Sequence, residues 1–287
     1  MLISGFSYAF GSAFFAATSD ALAKQALRSH STIVTAWVRL AYASPFLLPF
    51  LYFIPIPPLD RIFWITILLL LPLEAGAIIL YMKALHISPL SLTVPFLSFS
   101  PAFTIFTSFL ILGEQPDSSG IMGISLIMVG AYLLNVHLSR KGVLQPLRAV
   151  MTERGSLLMI LVAFIYSITS SLGKMAIQHS SPAFMGIIYL PLVSFSLLPF
   201  AVRNGMRVSA LRSGGTLFFL IGISQAFMAL CHFKAISMIL VSYMISVKRM
   251  SILLSVLLGG IFFHEEHLKE RLAGSLLMLL GVVLIVL

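Results

Sequence analysis

The chain repeats itself at a nearly constant offset over most of its length. A shift of 151 residues places Lys83 on Lys234 and Glu114 on Glu265, without a gap from position 83 to position 130. A shift of 150 residues aligns the earlier part, with the matches Lys24 on Lys174 and Leu47-Leu48-Pro49-Phe50 on Leu197-Leu198-Pro199-Phe200. Two apolar copies of one unit predict a membrane protein built from structural repeats.

The composition excludes a sizeable soluble domain. The chain is 59% hydrophobic and 9% charged, against about 25% charged residues in ordinary soluble domains. Its net charge of +9 comes mostly from short loops between apolar runs. That distribution is typical of membrane topology signals rather than of a nucleic-acid-binding surface, so we expect no nucleic-acid partner. The single cysteine, Cys231, excludes an internal disulfide.

Ten apolar stretches have the length of a membrane-spanning helix, about 20 residues for about 30 Å of hydrocarbon. They are predicted near 3–24, 32–53, 62–83, 89–112, 118–137, 155–177, 182–202, 215–236, 240–263 and 271–287. Helices are required because lipid offers no partners to free backbone groups. The predicted fold is therefore an all-α integral membrane protein. Its units are a first five-helix repeat over 1–138, a cytoplasmic linker over 139–154 and a second five-helix repeat over 155–287.

Five spans is an odd number, so the second repeat must enter the membrane from the side opposite to the first. Inverted repeats of this kind are a recurring device of secondary transporters. Twelve basic residues fall on the side of the loops after spans 1, 3, 5, 7 and 9, and three fall on the other side. The positive-inside rule therefore predicts a cell (inner) membrane protein with both termini outside.

Five charged residues lie inside predicted spans, where charge is costly and usually functional. They are Asp20, Arg39, Glu74, Lys248 and Arg249. Their counterparts in the other repeat are uncharged: Ser170, Tyr189, Gln225, Leu97 and Ser98. The scaffold is duplicated and the charges are not, which favours one central cavity that binds an asymmetric molecule.

The adjacent pair Lys248 and Arg249 is the strongest candidate for contact with a substrate. Neighbouring residues on a helix point about 100° apart, yet two long side chains can converge on one phosphate, carboxylate or acidic headgroup. The alternative is that one of the two is neutralised by Glu74 or reaches toward an interface. We predict Ser98 and Tyr81 as further substrate-binding residues.

Asp20, Arg39 and Glu74 lie toward the cytoplasmic half of spans 1 to 3 and leave two alternatives open. They form a charge network that gates the cavity or exchanges protons, or Asp20 and Arg39 form a static pair with Lys24 one turn away. Glu74 is the better candidate for proton exchange because it lies deepest in the membrane. A proton is accordingly the candidate coupling ion.

Span 4 contains three prolines, which bend a helix and free carbonyl groups toward a cavity, and we expect it to face span 9. Close helix contact is a better explanation than phosphate binding for the glycines Gly120, Gly123, Gly259, Gly260, Gly274 and Gly281. A metal site at His264-Glu265-Glu266-His267 is disfavoured, because Glu265 matches Glu114 in a copy without histidines. We expect no cofactor, no metal and no enzyme chemistry, since nucleotide-binding and nucleophile motifs are lacking in the sequence.

Paired motifs at the ends of the third and fourth spans of each unit resemble a known family. Leu112-Gly113-Glu114 and Phe263-His264-Glu265, with Tyr81-Met82-Lys83-Ala84-Leu85 and Phe233-Lys234-Ala235-Ile236 upstream, resemble the EamA type of the drug/metabolite transporter superfamily. The resemblance covers essentially the whole chain. It implies ten helices, a central cavity lined by spans 1–4 and 6–9, and alternating access without ATP.

Val247-Lys248-Arg249-Met250-Ser251 also resembles the Lys-Arg motif of plastid sugar-phosphate translocators, which implies that the pair grips a phosphate. Those translocators add a basic residue from span 4, and here the stretch from Val94 to Phe103 has none. The resemblance therefore implies a preference for anions without selecting phosphate.

Two functions remain open. The first is secondary transport of a small anionic or zwitterionic metabolite, with Lys248 and Arg249 binding its anionic group. The second is a flippase or transporter of an amphipathic lipid or lipid-linked phosphate, whose cavity would open sideways to lipid. A receptor or assembly subunit is disfavoured by the central charges. Membrane lipids are expected to surround the chain, and both a monomer and a homodimer remain open.

Overall fold

The computed structural model describes residues 2–88, 94–133, 154–204, 206, 208–254 and 268–286, and within these ranges every regular element is a helix. The helices are α1 (Leu2–Ala26), α2 (Thr32–Ala41), α3 (Arg61–Ile87), α4 (Ser100–Leu112), α5 (Ser118–Leu133), α6 (Arg154–Gln178), α7 (Pro182–Arg203), α8 (Val208–Ile236), α9 (Val241–Lys248) and α10 (Leu268–Val286). Short pieces extend two of them: Ser44–Leu47 and the 3-10 turn Leu48–Phe53 follow α2, and the 3-10 turn Val94–Phe99 precedes α4.

Proline and capping residues account for the breaks between these elements. Pro45 and Pro49 lie where α2 changes direction and tightens into its 3-10 turn. The side chain of Asp60 accepts a hydrogen bond from the backbone N–H of Phe63 and so caps α3. Gly113 ends α4 in the left-handed conformation, with φ of 69°, which a glycine adopts without a steric penalty.

Among the described residues, five stretches are long and apolar enough to cross a membrane. They are Thr32–Phe53, Arg61–Ile87, Arg154–Gln178, Pro182–Arg203 and Gly214–Ile236, and shorter apolar helices cover Phe96–Leu112, Ser118–Gly130 and Leu276–Ile285. Large apolar side chains such as Leu68 (74% exposed) and Phe195 (76% exposed) point outward from the bundle. An apolar exterior around a helical bundle is the arrangement of a membrane protein, which confirms the predicted class.

The main helix interfaces run between the two repeats rather than within them. Helix α1 packs on α8, and its repeat equivalent α6 packs on α3. The remaining helices pair with their own equivalents, α2 with α7, α4 with α9 and α5 with α10. The two repeats are therefore interleaved, and residues from both meet along the middle of the bundle.

Helices α5 and α10 approach each other most closely at two glycines. A Cβ atom on Gly123 would lie 2.6 Å from the carbonyl oxygen of Gly281, and a Cβ on Gly281 would lie 2.5 Å from that of Gly123. Backbones this close leave no room for a side chain on either residue. The predicted role of these glycines in helix contact is confirmed.

Candidate functional site

A cavity of about 120 Å³ lies in the middle of the bundle, between the two repeats. Its walls come from α1, α2, α3 and the 3-10 turn before α4, and from α6, α7, α8, α9 and the turn that follows α9. Among the described residues, none of those in α5 or α10 lines it. The lining by spans 1–4 and 6–9 agrees with the expectation from sequence.

Equivalent positions of the two repeats face each other across this cavity. The pairs of lining residues are Ala16 with Tyr166, Asp20 with Ser170, Arg39 with Tyr189, Leu40 with Leu190, Glu74 with Gln225, Ile78 with Ala229, Tyr81 with His232 and Leu97 with Lys248. In four of these pairs one member carries a formal charge and its equivalent is neutral. The cavity is thus symmetric in position and asymmetric in charge.

Arg39 is held by acceptors from both repeats. Its Nη1 donates to Oδ1 of Asp20 at 2.7 Å, and its Nε donates to Oε1 of Gln225 at 2.9 Å. The hydroxyl of Ser19 donates to the same Gln225 oxygen at 3.1 Å. The guanidinium carbon also lies 5.7 Å from the ring centre of Tyr81, within cation–π range. Asp20 and Arg39 are thus paired, and Gln225 extends the pair to the second repeat.

Lys248 and Arg249 diverge toward different helices. The regular helix α9 ends at Lys248, Arg249 occupies a turn, and helical backbone resumes at Met250. Nζ of Lys248 lies 3.3 Å from Nδ1 of His232 on α8, while Nε of Arg249 donates to the hydroxyl of Ser100 at 2.7 Å. Neither residue takes part in an ion pair with another described residue. Both line the same cavity from one short segment.

Glu74 is the second carboxylate of the cavity. Thr169 of α6 and Tyr189 of α7 line the cavity with it. The sequence left open that Glu74 neutralises Lys248 by direct contact. The ion pairs among the described residues do not include this contact.

The formal charges lining the cavity do not cancel. Among the described residues that line it, there are three cations, Arg39, Lys248 and Arg249, and two carboxylates, Asp20 and Glu74. Charge buried in a poorly solvated site is stable only when it is paired. The cavity can therefore accept one further negative charge, either as a whole anion or as the anionic group of a zwitterion.

Polar contacts between the repeats close one end of the bundle. Glu114, just beyond α4, forms an ion pair with Lys174 of α6, and its Oε2 accepts the backbone N–H of Val241 at 2.9 Å. Nζ of Lys174 also donates to the carbonyl of Ile239 at 2.9 Å. We call Glu114, Lys174 and the residues 239–241 the terminal clasp. Glu114 and Lys174 are only 14% and 12% exposed.

Two more contacts flank the terminal clasp at the same end. Asp60 meets Nδ1 of His179 at 2.7 Å, and Asp117 accepts a hydrogen bond from the hydroxyl of Tyr243 at 2.9 Å. The pKa of Asp60 is lowered, chiefly by the N–H of Phe63. The pKa of Asp117 is lowered by the N–H of Gly120, with Tyr243 contributing next. Both carboxylates are thus held in the charged form in which they make these contacts.

A family model supplies the decisive comparison. The model of the EamA-like transporter family matches residues 3–136 and again residues 153–287. The chain belongs to the EamA-like transporter family. It is therefore a multi-pass membrane protein of a family that transports small molecules and is not enzymatic. The two matches coincide with the two repeats predicted from the sequence.

A solved structure supports the fold of this EamA-like transporter. The structure, described as "Crystal structure of protein", has a TM-score of 0.72 and 15% sequence identity, and the match covers 99% of this chain and 98% of the other. No curated protein matches the sequence. At that identity the likeness concerns the fold alone.

Six of the seven candidate residues of this EamA-like transporter line the cavity together. They are Asp20, Arg39, Glu74, Tyr81, Lys248 and Arg249. Ser98 is buried and does not belong to the lining, because the 3-10 turn presents Leu97 there instead. The metal site weighed at His264 to His267 lies outside the described residues, as does most of the linker over 139–154. Within the part of the chain that the structure describes, no group of His, Cys, Asp and Glu could hold a metal ion.

Sequence reasoning missed His232 and Tyr166 as lining residues of this EamA-like transporter. The signal for His232 was present, because the 151-residue shift places Tyr81 on His232 and Tyr81 was already a candidate. Tyr166 gave no such signal, since its equivalent, Ala16, is small and apolar.

Proposed function

We propose that the chain is a secondary-active transporter that moves a small anionic or zwitterionic metabolite by alternating access through the central cavity. Lys248 and Arg249 bind the anionic group. The observation that carries this proposal is the excess of one formal positive charge among the described lining residues, three cations against two carboxylates. For a zwitterion, the carboxylate of Glu74 is the acceptor for the cationic group.

Arg249 is the better of the two anion ligands. Its Nε is used by Ser100, and a guanidinium has further N–H donors in a planar fork that matches a carboxylate or a phosphate. Among the described residues, Ser100 is the only hydrogen-bond partner of its side chain. Lys248 adds a mobile point charge, and its Nζ lies beside the ring of His232.

The charged lining of the cavity supports a solute with an anionic group over an acyl chain, because buried charge is stable only when it is paired.

The proposal includes ten transmembrane helices arranged as two inverted five-helix repeats. Its support is the exchange pattern of the interfaces, in which α1 on α8 mirrors α6 on α3, together with the odd number of predicted spans in each repeat. The positive-inside rule favours both termini outside the inner membrane. A reporter fused after Leu287 that reads as cytoplasmic would contradict that orientation.

Ligand-dependent thermal unfolding of the purified protein tests the anion site. We expect a small carboxylate, phosphate ester or amino acid to raise the melting temperature, because a ligand that binds only the folded state stabilises it. Loss of a charge-assisted hydrogen bond weakens binding by about 1.5–3 kcal/mol. Lys248→Ala and Arg249→Ala should therefore bind that ligand about 10- to 100-fold more weakly.

Lys234→Ala is the matched control, because Lys234 is an exposed cation outside the cavity. Its affinity should equal that of the unmodified protein. Equal anion affinity in Lys248→Ala, Arg249→Ala and the control would refute the assignment of the site.

A further inference from the structure

The terminal clasp joins three helices that surround the cavity and belong to different repeats. Glu114 follows α4 of the first repeat, Lys174 lies near the end of α6, and Val241 begins α9 of the second repeat. Leu240 provides no side-chain cap for α9. Glu114 supplies the missing acceptor, since a carboxylate at a helix N-terminus satisfies free N–H groups and complements the helix dipole.

The segment that the clasp holds is the one that carries the anion-binding pair. Lys248 lies only seven positions after Val241 within α9. Deeper in the bundle, Arg249 contacts Ser100 at the start of α4. Helix α9 is therefore tied to α4 at both ends of its described length, and the end of the cavity beside Glu114 cannot open unless the outer tie breaks.

Of the equivalent residues at the opposite end, the structure describes Lys24 but not Glu265, the equivalent of Glu114. Lys24, the equivalent of Lys174, donates to the carbonyl of Leu85 at 2.7 Å. The two flanking contacts have no chemical equivalent there. Positions Asp117 and Tyr243 correspond to Leu268 and Leu92, and positions Asp60 and His179 correspond to Ala210 and Ser29. The residue pairs of the two flanking contacts are thus specific to the end where Glu114 lies.

We propose that the terminal clasp is a gate, closed in this structure, whose opening exposes the cavity to the side of the membrane where Glu114 lies. The Asp60–His179 and Asp117–Tyr243 contacts reinforce it. The gate rests on the proposed function, because only a transporter has to open this end. The alternative is a static structural contact, in which the terminal clasp only holds the helices together. The two differ in whether loss of the clasp exposes the cavity.

A cysteine-accessibility experiment separates the two. Cys231 is the only cysteine, so Cys231→Ala gives a background in which Ser170→Cys places one thiol in the cavity wall. A membrane-impermeant maleimide is applied to sealed vesicles from either side. The sides are identified with Ile56→Cys, exposed in the loop before Asp60 at the clasp end, and with Ser29→Cys, exposed at the opposite end.

We expect Glu114→Gln and Lys174→Met to raise the labelling rate from the clasp side about tenfold, which corresponds to a population shift of about 1.4 kcal/mol. Glu114→Lys combined with Lys174→Glu should restore the slow rate, because the exchanged charges can still pair. Lys234→Met is the matched control: it removes an exposed cation at the same end and should leave the rate unchanged.

Tyr243→Phe provides a variant that removes one flanking hydrogen bond without changing charge or size. It should raise the clasp-side rate by a smaller factor and keep the fold intact. Unchanged labelling in Tyr243→Phe and in the folded single variants would show that the clasp is a static structural contact and would refute the gate. The labelling experiment needs no substrate, so its outcome is independent of the anion-binding test. Labelling can stay unchanged while Lys248→Ala and Arg249→Ala lose anion binding, and labelling can rise while these two variants keep it.

Discussion

Arg39 shows how one side chain can hold both repeats at the level of single residues. Its guanidinium bonds Asp20 of the first repeat and Gln225 of the second through two different nitrogens. A planar fork of fixed geometry can satisfy both acceptors at once, whereas a lysine ammonium is a point charge. The pair is buried, with the Arg39 and Asp20 side chains 9% and 12% exposed.

We predict that Arg39→Ala lowers the free energy of unfolding by about 3–5 kcal/mol, because it leaves the Asp20 carboxylate buried without its partner. Arg39→Lys should lose part of this amount, since it keeps the charge and loses the second hydrogen bond. Adding Asp20→Asn to Arg39→Ala should recover stability by removing the isolated charge. Thermal unfolding in detergent measures all three variants.

Arg203→Ala, which removes an exposed arginine at the end of α7, is the control for that series. It should unfold like the unmodified protein. Equal stability of Arg39→Ala and Arg203→Ala would show that the Asp20–Arg39 pair does not stabilise the fold.

The sequence predicted which residues would meet but not how they would pair. Asp20, Arg39, Glu74, Lys248 and Arg249 stood out because each breaks the internal symmetry. Their hydrogen-bond partners are neutral residues, such as Gln225 and Ser100, that apolar patterning does not single out. A side chain's choice among several nearby acceptors depends on packing that one sequence does not reveal.

At the level of helices, the breaks at prolines can be predicted from the sequence, whereas the break at Arg249 cannot. Prolines mark the bends after α2 and before α4, where the missing N–H and the fixed φ are decisive. The turn at Arg249 has no proline or glycine, and its side chain reaches across to Ser100. Only tertiary contact distinguishes that turn from continuous helix.

The close contact of α5 with α10 predicts that one added methyl group at Gly123 destabilises the protein. Gly123→Ala places a Cβ against the backbone oxygen of Gly281, so the helices must separate. We expect it to destabilise the protein by about 1–3 kcal/mol, the usual cost of overpacking. Unfolding temperature in detergent, or retention of a monodisperse peak after heating, provides the measurement.

Gly76→Ala is the matched control, because a Cβ on Gly76 within α3 meets nothing within 4 Å. Replacing a helical glycine by alanine normally gains about 0.5–1 kcal/mol. Gly76→Ala should therefore unfold at the same temperature as the unmodified protein or higher. A loss of stability in Gly76→Ala equal to that in Gly123→Ala would contradict the close-contact explanation.

For the whole molecule, the interleaving of repeats is the feature with most consequence. Their positions in the chain were predicted from a constant offset, and the family model matches the same two stretches. That α1 would pack on α8 rather than inside its own repeat was not predictable, because the apolar faces of all these helices suit many partners. In lipid, close packing and hydrogen bonds determine which helices associate.

We predict that residues 1–144 and 145–287, produced as separate chains, assemble only when they are made together. Each piece alone lacks the partners of nearly every helix, so it should be degraded or aggregate. Co-purification of one tagged piece with the other, followed by the anion-dependent shift in unfolding temperature, provides the test. A stable, monodisperse first piece on its own would contradict the interleaved packing.

The interleaving also sets an order for biosynthesis. At about 5–20 residues per second, α8 follows α1 out of the ribosome by about 10 to 40 s. Helix α1 must spend that interval in the bilayer with Asp20 unshielded by Gln225. Arg39 lies in the next helix and is made almost at once, so the Asp20–Arg39 pair can form inside the nascent chain. The acidic group that is synthesised first thus has a counter-ion within a few seconds, long before its second-repeat partners exist.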